Sequence, residues 1–135
     1  MARVAFFLDT RRIRSADLRD VDAGNPGVGG TEYMFFLVAV HLARKHQVSM
    51  YVTVAGHHPP GIRIVVVRNM REAAVAMQSA GEKIVILRDC EVLPNRSLLR
   101  SMPQSVVVWA HNYSNRRTLK TCAKLPGIVR YLCVS

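Results

Sequence analysis

The stretch Gly24-Asn-Pro-Gly-Val-Gly-Gly-Thr-Glu32 ends with a glycine pair, Gly29 and Gly30, set directly before a long apolar run. Glycines in that place serve one of two ends. Free amides at the start of a helix form an anion site, and missing side chains let a phosphate approach the main chain. Alternatively, the glycines only permit a tight turn into a closely packed helix. The stretch is one letter from a P-loop, but Gly30 stands where the phosphate-binding lysine belongs, so an ATPase reading loses its cation. A dinucleotide site fails as well. The spacing of Gly27, Gly29 and Glu32 breaks G-x-G-x-x-G, and the second strand ends Val54-Ala55-Gly56 with no acid to hold a ribose.

Other side chains with chemical potential cluster after apolar runs. His111 follows Val106 to Trp109, where an imidazole can donate a hydrogen bond to a ligand without acting as a base; an ordinary loop histidine is the alternative. Asn112 stands beside it. Glu32 is either a ligand contact or an acid stabilised by the dipole in a helix's first turn. Asp89 and Glu91 follow Ile84 to Leu87 and either line a cleft or are solvated. His57 and His58 precede Pro59-Pro60-Gly61 without Cys or acid partners, which fits a solvated loop better than a metal site. His41 and His46 belong to a helix and its end, where packing and capping account for them. No metal is expected.

The elements that must position these groups are legible as patterns. Apolar runs Val4 to Leu8, Val48 to Val54, Ile62 to Val67, Ile84 to Leu87, Val106 to Trp109 and Ile128 to Val134 predict strands, of the kind buried on both faces of a parallel sheet. Thr31 to His46 predicts a buried helix. Asn69 to Ala80 places Met70, Ala73, Ala74 and Met77 at helical spacing with Gly81 as a stop. Leu98 to Met102 and Arg116 to Leu125 predict shorter helices. Such alternation predicts an α/β, Rossmann-like, doubly wound and mainly parallel sheet with helices on both faces. Ligands bind such sheets at the carboxyl ends of the strands. The connection from Asp9 to Gly30 reaches that edge, is long, and carries Arg11, Arg12 and Arg14.

A chain of 135 residues, half of them hydrophobic, fits one domain with a real core. Lys and Arg number 19 against 9 acidic residues, and the net charge of +10 attracts anions: phosphorylated ligands, nucleic acid or acidic membranes. Arg116, Arg117, Lys120 and Lys124 form a basic stripe on one helix that faces either lipid headgroups or solvent. Cys90, Cys122 and Cys133 lack CxxC spacing, so neither a disulfide framework nor a zinc site is expected, and a reducing cytoplasm is the default. The five apolar residues before Asp9 are too few for a secretory signal. Tyr33 to Val40 falls short of the ~20 residues of a membrane span.

The run GGTEYMFFLVAVHLARKHQVSMYV resembles the first helix and second strand of the N-terminal domain of family-four glycosyltransferases, which have the two-domain GT-B fold. The shared features are a glycine pair, an acid shortly after it, a helix ending Leu-Ala-basic, and a Val-rich strand. VVVWAHNY is similar to the family's strand ending in a cleft histidine, and IVRYLCVS to the strand ending in a serine near the interdomain cleft. The resemblance runs from Val4 to Ser135.

It implies that residues 1–135 are the acceptor-side half of a retaining glycosyltransferase using a nucleotide-diphosphate sugar, without a metal or other cofactor. The acceptor would be a sugar, a polysaccharide or a lipid-linked molecule, and the protein cytoplasmic, with peripheral contact at the inner face of a membrane. The family's donor domain, with its paired glutamates and diphosphate-gripping basic residues, has no counterpart in this sequence, so the half alone is expected to be inactive. Catalysis in the family is described as a front-face displacement that needs no protein nucleophile and rests on positioning and charge stabilisation. By the same resemblance, His111 contacts the donor sugar or acceptor as the catalytic-site histidine. Gly29 and Gly30 meet the donor phosphate, and Glu32, Asp89 and Asn112 face the acceptor. Arg116, Arg117, Lys120 and Lys124 face the membrane. The alternative is a basic Rossmann-like module that binds nucleic acid, membrane or a nucleotide cofactor without transfer. Trp109 and Tyr113 are isolated aromatics rather than a stacking platform, so no specific nucleic acid is expected.

Overall fold

The computed structural model describes residues 1–111 and 115–134. The expected strands form one parallel sheet: β1 (Arg3–Leu8), β2 (Gln47–Val52), β3 (Arg63–Val66), β4 (Ile84–Arg88), β5 (Ser105–His111) and β6 (Ile128–Val134). Their order across the sheet is β3-β2-β1-β4-β5-β6. The chain starts at the centre, works outward to β3, then returns to the other side of β1 and works outward again. Strand order therefore reverses between β1 and β4, which opens a crevice at their carboxyl ends.

The sheet is covered on both faces. Helix α1 (Gly30–Leu42) lies on one, with Phe35 and Phe36 buried against Phe6, Met50 and Trp109. Phe35 meets Phe6 and Trp109 edge-on, with ring centroids 5.6 Å apart in both pairs, the arrangement that aromatic quadrupoles favour. On the other face α2 (Met70–Ala80), α3 (Arg96–Ser101) and α4 (Arg116–Ala123) bury Met77, Leu99 and Cys122 against Phe7, Val85, Leu87 and Val108. Because α1 is nearly apolar all round, only Gly30 and His41 on it are exposed.

Three expectations need adjustment. Helix α1 stops at Leu42 instead of His46, since the amides of Arg44 and Lys45 bond back three residues to His41 and Leu42 and tighten the last turn into β2. Strands β3 and β6 lie at the sheet's edges, so they are not buried on both faces: Val66, Val129 and Leu132 are exposed. His58 is half-buried rather than solvated, because its ring stacks on Phe36 at 5.6 Å and burial pushes its pKa down. Among the described residues, no helix is long and apolar enough to cross a membrane.

Candidate functional site

The connection from Asp9 to Gly29 is a packed structure, not a free loop. Ile13, Leu18 and Val21 plug the core beside α1, and the Tyr33 hydroxyl donates to the Val21 carbonyl at 2.8 Å. The amide of Leu18 donates to the His57 carbonyl at 2.8 Å, which ties this connection to the one after β2. Asn25 Oδ1 accepts from the amides of Gly27 and Val28 at 2.9 Å, and its Nδ2 returns a bond to the Val28 carbonyl. Gly24 (φ 119°) and Gly27 (φ 99°) supply the left-handed backbone this turn requires.

Gly29 and Gly30 are placed differently. Gly29 caps α1 with φ −58°, a value open to any residue, and Gly30 is the helix's first residue. A Cβ on Gly29 would overlap Oε2 of Glu32, whose flexible side chain folds its carboxylate back over the helix start. Glu32 Oε1 in turn accepts from Arg88 Nη1 at 3.2 Å, with both side chains largely withdrawn from solvent.

That ion pair walls a cavity of about 600 Å³ at the crevice between β1 and β4. Asp9 and Arg88 stand at the two strand ends, Arg11 and Arg12 rise from the turn after β1, and Cys90 and Glu91 follow β4. Asp9 is clasped. Arg11 Nε donates to its carboxylate at 2.9 Å, the Arg11 amide at 3.1 Å and the Thr53 hydroxyl at 2.8 Å. The Arg11 side chain above all, then its amide and Thr53, hold the Asp9 carboxyl far below the usual carboxylate range. Glu91 responds in the opposite sense. Burial first, and then the negative charge of Asp9, push its pKa up, while Asn95 Nδ2 donates to its Oε2 at 3.2 Å. Burial also raises the Cys90 thiol, which disfavours the thiolate.

The cavity's arginines are unequally committed. Arg11 is spent on Asp9, and Arg88 is half spent on Glu32, with its buried Nε lacking a hydrogen-bond partner among the described residues. Arg12 forms no ion pair among the described residues. Chemically, the site offers an anion one whole guanidinium and a second that is shared with Glu32, beside the amino end of a helix.

Of the residues singled out in the sequence, Glu32 reaches this cavity, and Gly29 lies against Glu32. Asp89 does not line it: its Oδ1 accepts from the Cys90 amide at 3.0 Å, and its charge is felt at Cys122 of α4, on the other face. Glu91 is the acid that reaches in. His111 ends β5 as that strand's last residue, at the same carboxyl edge; its side chain and all of Asn112 lie outside the described residues. Arg116, Arg117, Lys120 and Lys124 are exposed on α4 and at its end. Arg12 and Arg88 carry the cavity's uncommitted charge although neither belongs to a motif. The signal for them was position, directly after the two central strands.

A ribose-binding acid is missing at the end of β2, and Thr53, which stands near that place, is bonded to Asp9 and Thr10. Among the described residues no group of three His, Cys, Asp or Glu could hold a metal ion. No family model, curated protein or solved structure matches the chain.

Proposed function

We propose that this chain is the acceptor-side, Rossmann-like half of a retaining GT-B glycosyltransferase, and that its switch-point cavity meets the diphosphate of a nucleotide-sugar donor. The observation that carries the reading is that Arg12, with no ion pair among the described residues, lines one cavity with Arg88 at the mouth of α1 and the carboxyl ends of β1 and β4. An α/β sheet binds ligands at that place, and a departing diphosphate needs charge stabilisation of that kind. Asp9, held ionised, keeps Arg11 oriented. Glu91, with its raised pKa, suits contact with an acceptor hydroxyl. His111 at the end of β5 would approach the same edge. The basic stripe of α4 suits contact with the acidic surface on which a lipid-linked acceptor would reside.

The test is a transfer assay on the whole gene product that carries this chain, using a panel of nucleotide-diphosphate sugars. His111→Ala should lower turnover at least a hundredfold, in the range set by loss of a positioned polar group. Gly30→Trp, which crowds the helix mouth, should abolish it. Full activity in both variants would sink the assignment of the site.

A further inference from the structure

The mouth of α1 already holds an anion, and it belongs to the chain. Glu32 sits in the first turn, its carboxylate lies over Gly29 so closely that a Cβ there would overlap it, and the same carboxylate bonds Arg88 at 3.2 Å. A carboxylate at a helix start, bonded to a guanidinium, sits where the helix dipole and that guanidinium would also favour a phosphate. Yet Arg88 is not satisfied by it. Only Nη1 reaches Glu32, and Nε is buried without an acceptor among the described residues. A buried guanidinium N–H left unpaired is costly. An oxyanion larger than one carboxylate, with oxygens on several sides, can take the Nη edge that Glu32 holds and reach a second guanidinium as well. Arg12 lines the same cavity with no ion pair among the described residues.

The geometry points to Glu32 as an internal counter-anion: it holds Arg88 and the start of α1 in the empty state, and the diphosphate of a ligand displaces it. This gives Glu32 a role other than acceptor contact. It rests on the proposed function only in taking a diphosphate as the ligand. The exchange keeps charge balanced around Arg88, since one anion leaves as another arrives. It also makes the cavity selective. A single weakly charged oxyanion gains little by replacing a carboxylate already in place, whereas a diphosphate reaches Arg88 and Arg12 at once. The displaced Glu32 carboxylate is then free to turn toward solvent, or toward a hydroxyl of whatever binds beside the diphosphate.

The experiment is calorimetric titration of the protein with inorganic pyrophosphate, and separately with inorganic phosphate, for wild type, Glu32→Gln, Arg88→Gln and the double variant. Glu32→Gln keeps the side chain's shape and removes its charge. It should bind pyrophosphate roughly three- to fivefold more tightly than wild type, the upper part of the range for one partly exposed ion pair no longer competing. In the Arg88→Gln background the same change should gain less than twofold, because the pair it relieves is gone. Phosphate should bind more weakly than pyrophosphate throughout. Unchanged or weaker pyrophosphate binding by Glu32→Gln overturns the proposal, as does a gain of equal size with and without Arg88. Absence of binding by every variant overturns it too. Sugar transfer is read separately: tighter pyrophosphate binding by Glu32→Gln without turnover of any donor would leave the counter-anion standing and remove the glycosyltransferase reading. Turnover with an unchanged donor KM in Glu32→Gln would do the reverse.

Discussion

Arg11 and the Thr53 hydroxyl bond the Asp9 carboxylate, while Glu91, across the same cavity, has burial and the Asp9 charge working against its ionisation. Divergence of neighbouring carboxyls is how one site can hold both an ionised and a protonatable acid. The two act on stability with opposite sign. Asp9, depressed, contributes stability above the usual carboxylate range that is lost as pH falls through and below it. Glu91, raised, contributes stability while protonated and loses it as pH rises through its elevated pKa. Glu91→Gln preserves the bond from Asn95 and removes the titration. Thermal melts should show the variant with a higher Tm than wild type at about pH 7, and no such advantage at about pH 3, below the range in which an unfolded glutamate ionises. A variant equally stabilised at both values would mean that burial, not charge, sets the difference. The sequence named the acids after β4 but could not say which one faces inward: Asp89 turns to its neighbour's amide, and that choice lies in a single turn of backbone.

Among the elements, α2 was the most legible because every local signal agrees. Asn69 Oδ1 accepts from the Glu72 amide at 2.9 Å as the N-cap, the apolar stripe of Met70, Ala73, Ala74 and Met77 is buried, and Gly81 ends the helix at φ 71°. Asn69→Ala should cost about 1 kcal/mol, read as a shift in the denaturant midpoint with an unchanged m-value. An effect near zero would show that the cap is redundant. The end of α1 is less legible, because its apolar and basic residues continue the helical pattern past Leu42, while the tightened turn is decided by where β2 must begin. Edge strands are less legible for a related reason. Val129 and Leu132 look like core residues in sequence, but the position of β6 at the end of the sheet leaves them exposed, and strand order is not written in any one run of residues.

At the scale of the molecule, a sheet in the order β3-β2-β1-β4-β5-β6 gathers residues from distant parts of the chain at a single crevice. Asp9, Arg12, Glu32, Arg88 and Glu91 meet there although no motif joins them in sequence. The fold class followed from alternating apolar runs; the cavity did not, because it depends on which strands become neighbours. The net charge of +10 draws anions toward the whole surface, and at this crevice Arg12, with no ion pair among the described residues, shares a cavity with Arg88 beside the start of α1. Anion recognition at the crevice therefore turns on Arg12. Titration of the protein with a nucleoside diphosphate, for wild type and Arg12→Ala, tests it most directly. Loss of one charge-assisted contact of roughly 1.5–2 kcal/mol predicts binding about ten- to thirtyfold weaker in the variant. A variant that binds as tightly as wild type, or a wild type that binds no nucleoside diphosphate, would contradict it.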